Sequence, residues 1–252
     1  MIDINKIAEL SRPLLEAEVF SNKAFELLIN SDISIPKDTS LQALVDSLKD
    51  QTKDIPQFFK PGEFADYNFT LFNSENFNID LYIWTKKHTS IHNHHFTGAF
   101  KILLGSIYTE EFDFQCERHL NDFLDHGKLK LIKSQTASIG FTREIKMLDN
   151  FIHITRHLNN PTITICIRDK KTLAKPISGF FRNGLKINHR PKSTSDYRYF
   201  QDFYFQNDID KLELSKRLSN DQSEIATLIN EGFAAESKWE IKMMHLWGKL
   251  NE

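Results

Sequence analysis

Glycine and cysteine are scarce in this chain, at 9 and 2 of its 252 residues. Two cysteines, Cys116 and Cys166, make no disulfide framework and suit a reducing compartment, so a cytoplasmic protein is expected. Few glycines, with no internal repeat or low-complexity tract, argue against long flexible linkers. An excess of one charge is also missing. The 32 Lys and Arg nearly balance the 34 Asp and Glu, for a net charge of −2. No basic surface is implied, and neither nucleic acid nor an anionic membrane is an expected partner. No apolar run approaches the roughly 20 residues of a membrane span. The opening "MIDINKIAELSRPLL" carries early acidic residues and no long apolar stretch, unlike a signal peptide. What remains is an ordinary globular composition, 40% apolar and 26% charged, long enough to bury a substantial core. One residue is abundant: 21 phenylalanines point to β-structure with bulky packing.

Hydrophobic periodicity divides the chain. Residues 4–30 read as helix, with Ile7, Leu10, Leu14 and Leu15 at helical spacing and Pro13 breaking or starting a segment. "LQALVDSLKD" follows Thr39-Ser40, which suit a helix N-cap. From about residue 64 the period becomes that of strands. "FNIDLYIWT", "KLKLIKS", "ASIGFT", "NFIHIT" and "TITICIR" are strand candidates, as are "ISGFFRNG" and "YRYFQDFYFQ". "AFKILLGSIYTEEFDF" reads as strand, turn at Gly105, strand, while "CERHLNDFLDHGK" reads as a short helix ending near Gly127. Helical pattern returns in "IATLINEGFAAE", preceded by Asp221 and Glu224 at capping-box spacing. Trp239, Met243, Trp247 and Leu250 then form one stripe, suited to packing on the barrel or to a homodimer through the C-terminal helices. Closely spaced short strands suggest a sandwich or barrel. The domain boundaries drawn are a helical segment over 1–59, a barrel over 60–207 and a helical extension over 208–252.

"SIHNHHFTG" carries the chemistry. In a strand, residues two apart share a face, so His92 and His94 can offer two imidazoles to one metal while Asn93 and His95 face away, provided the strand persists that far. Gly98 follows His94 after three residues, and Gly105 follows after six more. These intervals resemble the first motif of the cupin superfamily: His-X-His, three or four residues, Glu, six residues, Gly. The Glu position holds Gly98. The second cupin motif ends in His, three residues, Asn; here "NFIHITRHLNN" supplies His153 and then His157.

The resemblance implies an all-β cupin jelly-roll barrel (a double-stranded β-helix) with added N- and C-terminal α-helices. It implies a metal held by His92, His94 and His153, with His157 as an outer partner or extra ligand. A three-histidine cupin lacking the Glu is similar to the cysteine dioxygenase-type thiol dioxygenases. That family implies a non-haem Fe(II) dioxygenase acting on a small-molecule substrate and O2, with zinc, nickel or manganese as alternative metals. Imidazole alone does not choose the metal, but three of them leave open positions for substrate and dioxygen.

The departures are equally informative. The family's Ser-His-Tyr relay is replaced by Thr164, Cys166 and Arg168, and its carboxylate-binding Arg by Phe69. An inward Arg168 could clamp a substrate carboxylate; the alternative is a structural ion pair at the barrel mouth. Tyr82 and Trp84 share a face and are expected to line the pocket or pack in the core. The alternatives to the thiol are a non-thiol chelating substrate, with oxygenase, hydrolase or isomerase chemistry, and a non-catalytic sensor or assembly module.

Overall fold

A computed structural model of the chain describes residues 2–36, 38–59, 64–86, 89–121, 124–170 and 178–188, and six helical positions between 227 and 238. Helix α1 (Ile4–Ser11) runs into a 3-10 turn at Arg12–Leu14, so the break falls at Pro13 as expected. Helices α2 (Phe20–Asn30) and α3 (Leu41–Thr52) follow. The Ser40 hydroxyl accepts from the Ala43 amide at 3.2 Å, capping α3. Among the described residues no helix is long and apolar enough to cross a membrane.

The strands are β1 (Tyr67–Asn73), β2 (Phe77–Trp84), β3 (Ile91–His94), β4 (Gly98–Leu104), β5 (Ser106–Asn121), β6 (Leu124–Ser138), β7 (Thr142–Ile145), β8 (Leu148–His157), β9 (Thr162–Asp169), β10 (Ser178–Phe180) and β11 (Leu185–Asn188). One sheet has the order β1-β2-β9-β4-β7, and the other β10-β11-β6-β5-β8-β3, closed by pairing of β10 with β3. Within them β2 to β9 form eight antiparallel strands. Counted one to eight, they lie 1-8-3-6 in the first sheet and 2-7-4-5 in the second. That interleaving is the jelly-roll arrangement, so the molecule is mostly β, with a jelly-roll barrel and added helices, as the sequence led us to expect.

Two strands of the first sheet are buried along their whole length, β2 and β9. Their alternation explains it. Phe77, Ile79, Leu81 and Ile83, with Ile163, Ile165 and Ile167, pack outward against Ile7, Leu28 and Leu48 of the helices. The alternate residues, Tyr82, Trp84, Thr164, Cys166 and Arg168, line the interior. The Nζ of Lys101 donates to the backbone oxygens of Leu28 and Ser31, both at 2.8 Å, fastening the end of α2 to β4.

Two expectations are corrected. "CERHLNDFLDHGK" is not a helix but the far end of the β5–β6 hairpin, where Cys116 faces Gly127 and His119 faces Asp125. His119 and His126 therefore sit on strands. Most of this stretch of β5 is exposed, so neither face carried a buried alternation for the sequence to display. "ASIGFT" is not one strand, because Gly140, at φ +88°, turns the chain between β6 and β7. "YRYFQDFYFQ", the stripe over 239–250, and His88, His189 and His245 lie outside the described residues. Positions 227, 231, 232, 234, 235 and 238, within or just beyond "IATLINEGFAAE", are helical.

Candidate metal centre

Strand β3 is short but doubly held. It pairs with β8 on one side and with β10 on the other. The Oδ1 of Asn93 also accepts from the Ser178 amide at 2.7 Å. His92 and His94 share a face of β3, and the Cα of His92 lies opposite that of His153 on β8. Residues opposite each other on paired strands show their side chains to the same side, so local geometry and register together bring the three imidazoles into one place. The register shifts between His92 and His94, and Leu148 at the start of β8 takes φ +56° there. Such irregularities re-aim side chains beside functional sites.

The three rings form a nearly equilateral triangle. Centroids lie 4.8 Å apart for His92–His94 and for His92–His153, and 5.0 Å apart for His94–His153. One nitrogen from each lies within 4.8 Å of the others, and the Nε2 atoms of His94 and His153 approach to 2.9 Å. His92 Nδ1 is 2.8 Å from the Ser90 carbonyl oxygen. A carbonyl only accepts, so Nδ1 carries the proton and Nε2 keeps its lone pair. Phe151 stacks on His153 at 4.5 Å and on His94 at 5.7 Å, restricting both rings.

Burial decides the charge state. All three imidazoles are at most 8% exposed. Desolvation lowers the pKa of His92 from 6.5 to about 4. It lowers His94 and His153 well below the usual imidazole value, with neighbouring histidines adding to the effect. At neutral pH the cluster is three neutral imidazoles, the form that ligates metals. Two ligand nitrogens 2.9 Å apart on bonds of about 2.0–2.1 Å would subtend about 90° at an ion, as neighbouring ligands do. The donor set therefore fits a single divalent metal.

A pH prediction follows for the metal-free protein. An imidazole with a lowered folded pKa contributes stability that is complete above 6.5 and lost as pH falls toward the folded value. For His92 the drop to about 4 corresponds to about 3 kcal/mol. Urea unfolding of the chelated protein should show stability falling steeply between pH 6.5 and 4; a flat profile there would contradict the buried neutral cluster.

The triangle opens on a cavity of ≈160 Å³ with largely aromatic walls. Tyr82 and Trp84 line it as expected, and so does Arg168. Arg168 is engaged, however: its Nε lies 3.1 Å from Asp80 Oδ2. Phe58 and Phe59 lie 3.9 and 4.5 Å from its guanidinium carbon. The ion pair weighed for Arg168 is therefore present, inside the cavity wall. His157 lines the same cavity four residues beyond His153, stacked on Trp84 at 4.4 Å, and is not among the clustered ligand atoms. His95 does not face away. Strand β3 ends at His94, and the alternation ends with it, so His95 also lines the cavity.

At the positions of the family's relay, Thr164 accepts from the Trp84 indole at 3.2 Å and burial pushes the Cys166 thiol up to about 12. Phe69 faces the helices rather than the cavity. Gly98 lies on β4 opposite Arg168 of β9, and a Cβ built on it would stand 2.0 Å from the Ile167 carbonyl oxygen. The position that carries Glu in the cupin motif has no room for a side chain.

No family model matches the chain, and no curated protein matches it. Solved structures with a similar chain course do exist. A DMSP lyase from Ruegeria pomeroyi is 12% identical, covering 66% of this chain and 90% of its own, with a TM-score of 0.37. Hydroquinone 1,2-dioxygenase from a Sphingomonas species is 7% identical over 56% and 82%, with a TM-score of 0.33. A cupin-2 domain from Rhodospirillum rubrum is 10% identical over 71% and 88%, with a TM-score of 0.31. At such values the site's chemistry has to be argued from its own residues.

Sequence reasoning missed Asp80. Its carboxylate takes the Thr70 hydroxyl at 2.7 Å and the Tyr82 hydroxyl at 3.2 Å as well as Arg168. Burial raises its pKa, against the lowering pull of Arg168. Burial likewise raises the Tyr82 phenol well above 10, so Tyr82 keeps its proton and donates it to Asp80. An acid two residues before Tyr82 on the same face of an apolar strand was the available signal.

Proposed function

We propose that this protein is a metal-dependent enzyme, a non-haem Fe(II) oxygenase that oxidises a small thiol or related chelating metabolite with O2. The carrying observation is the buried triangle of neutral His92, His94 and His153 opening on an aromatic-lined cavity. These three residues would hold the metal, and the bound ion would supply open positions at which substrate and dioxygen meet. The choice of iron and of a thiol rests on the motif's resemblance to the thiol dioxygenases.

The chain's own residues supply the setting. The Ser90 carbonyl and the Phe151 ring hold the imidazoles in orientation. The aromatic walls give the cavity an apolar lining around the imidazoles. Tyr82 and Asp80 retain protons or charge at fixed positions, with Arg168 balancing Asp80.

The side chains at the relay positions favour a second reading, in which a three-histidine metal site acts on a non-thiol chelator. Thr164 and Cys166 place no proton-accepting base there, and Arg168 is paired through Nε with Asp80. Oxygen uptake by the Fe(II)-loaded protein, screened over thiols and over enols and phenols, tests both. Uptake with thiols supports the first reading and uptake with oxygen chelators the second. No uptake and no product with any class contradicts an oxygenase.

A further inference from the structure

Resting on the histidine triangle as a metal site, we propose that its substrate is a flat, apolar molecule with one acidic hydroxyl or thiol and no carboxylate: a small phenol, thiophenol or enol. Two observations carry this, the shape of the walls and the balance of charge.

The walls are a fixed aromatic assembly. Phe59 stacks on Phe64 with centroids 5.4 Å apart and planes 11° apart. Phe64 meets Tyr82 at 4.9 Å and Trp84 at 5.1 Å, both edge-on. Trp84 is backed by the parallel His157 ring at 4.4 Å. Conjugated rings gain from offset-stacked and edge contacts with such walls. A cavity of ≈160 Å³ limits the ligand to a small molecule.

Charge then excludes a second anionic group. Among the described residues lining the cavity, Arg168 is the one with a permanent positive charge. It faces Asp80 at 3.1 Å, and the two side chains are 8% and 1% exposed. Asp80 is fixed further by Thr70 and Tyr82. Beyond that pair, the charge at the site would be the metal's own. One ionised oxygen or sulfur on the metal is compensated by that charge. A carboxylate elsewhere on the ligand would be buried among aromatic rings or would compete with Asp80 for one guanidinium, and an uncompensated buried charge is strongly disfavoured.

The test is calorimetric binding of phenol and 4-hydroxybenzoate to the metal-loaded protein, repeated with thiophenol and 4-mercaptobenzoate. The expected result is at least tenfold tighter binding of the uncarboxylated member of each pair. Asp80→Asn removes the competing carboxylate and should improve 4-hydroxybenzoate binding at least tenfold while leaving phenol within twofold. If that variant does not fold, Asp80→Asn with Arg168→Met removes both charges and should retain the preference for phenol. Metal content measured on the same samples separates the two claims. A preference that persists in a protein binding no metal overturns the metal site but not the ligand class. Equal or tighter binding of the carboxylated member, or no binding of either, overturns the ligand class.

Discussion

Gly98→Glu should destabilise the barrel rather than add a fourth ligand to the histidine triangle. The substitution restores the residue type that the cupin motif places at this interval, so on sequence grounds it looks like a repair. The backbone forbids it. Gly98 pairs with Arg168 where β4 and β9 run side by side, and its Cβ would lie 2.0 Å from the Ile167 carbonyl oxygen and 3.0 Å from the Arg168 Cα. Both obstacles are backbone atoms in the middle of a sheet, so no rotamer change relieves them. Room is made only by parting two strands that carry the apolar core beneath the helices and the ion pair in the cavity. Overpacking and broken ladder bonds together should cost about 3–5 kcal/mol, or about 10 °C in melting temperature for a chain of this size. Gly98→Ala carries the same Cβ and should lose stability too. Calorimetry decides: an alanine variant melting within 1 °C of the parent would show that β4 and β9 are not so close.

His94→Ala and His153→Ala should each weaken metal binding at least a hundredfold, whereas His157→Ala should leave it within a few-fold. The sequence named His153 a ligand but left His157 as an outer partner or an extra ligand, because the two occupy the marked positions of one motif on one strand face. The distances separate them. His94 and His153 bring their Nε2 atoms to 2.9 Å, while His157 is stacked on Trp84. Removing a direct ligand should exceed the roughly 10- to 100-fold typical of outer partners. Competition against a chelator of known affinity measures all three variants on one scale. Equal losses in His94→Ala and His157→Ala would move the site along β8.

The site was more legible than its surroundings. His92 and His94 were readable because a strand's period of two is rigid, and His153 through the resemblance to the second cupin motif, whose strand β8 pairs with β3. Interior positions of β9 were read correctly for the same reason: Thr164, Cys166 and Arg168 all reach the cavity. The Asp80–Arg168 pair was not legible, since its partners are 88 positions apart and nothing local joins them. His95 was placed on the outer face only if the strand reached it, and β3 ends at His94. The β5–β6 hairpin was misread because the β5 side of its far end is exposed, and the buried Leu124, Asp125 and Gly127 opposite it do not alternate. Without alternation, "CERHLNDFLDHGK" shows charged and apolar residues at spacings that suit a helix equally well. The Phe58–Phe59 wall comes from a proline-punctuated connection, where sequence pattern carries almost no direction.

The proposed function requires a metal at His92, His94 and His153. Elemental analysis of protein purified without added metal or chelator, followed by Fe(II) titration under anaerobic conditions, measures it directly. The predicted result is about one transition metal per chain at saturation, lost in the His153→Ala variant. Saturation at zero in the folded parent protein, or an unchanged stoichiometry in that variant, would contradict it.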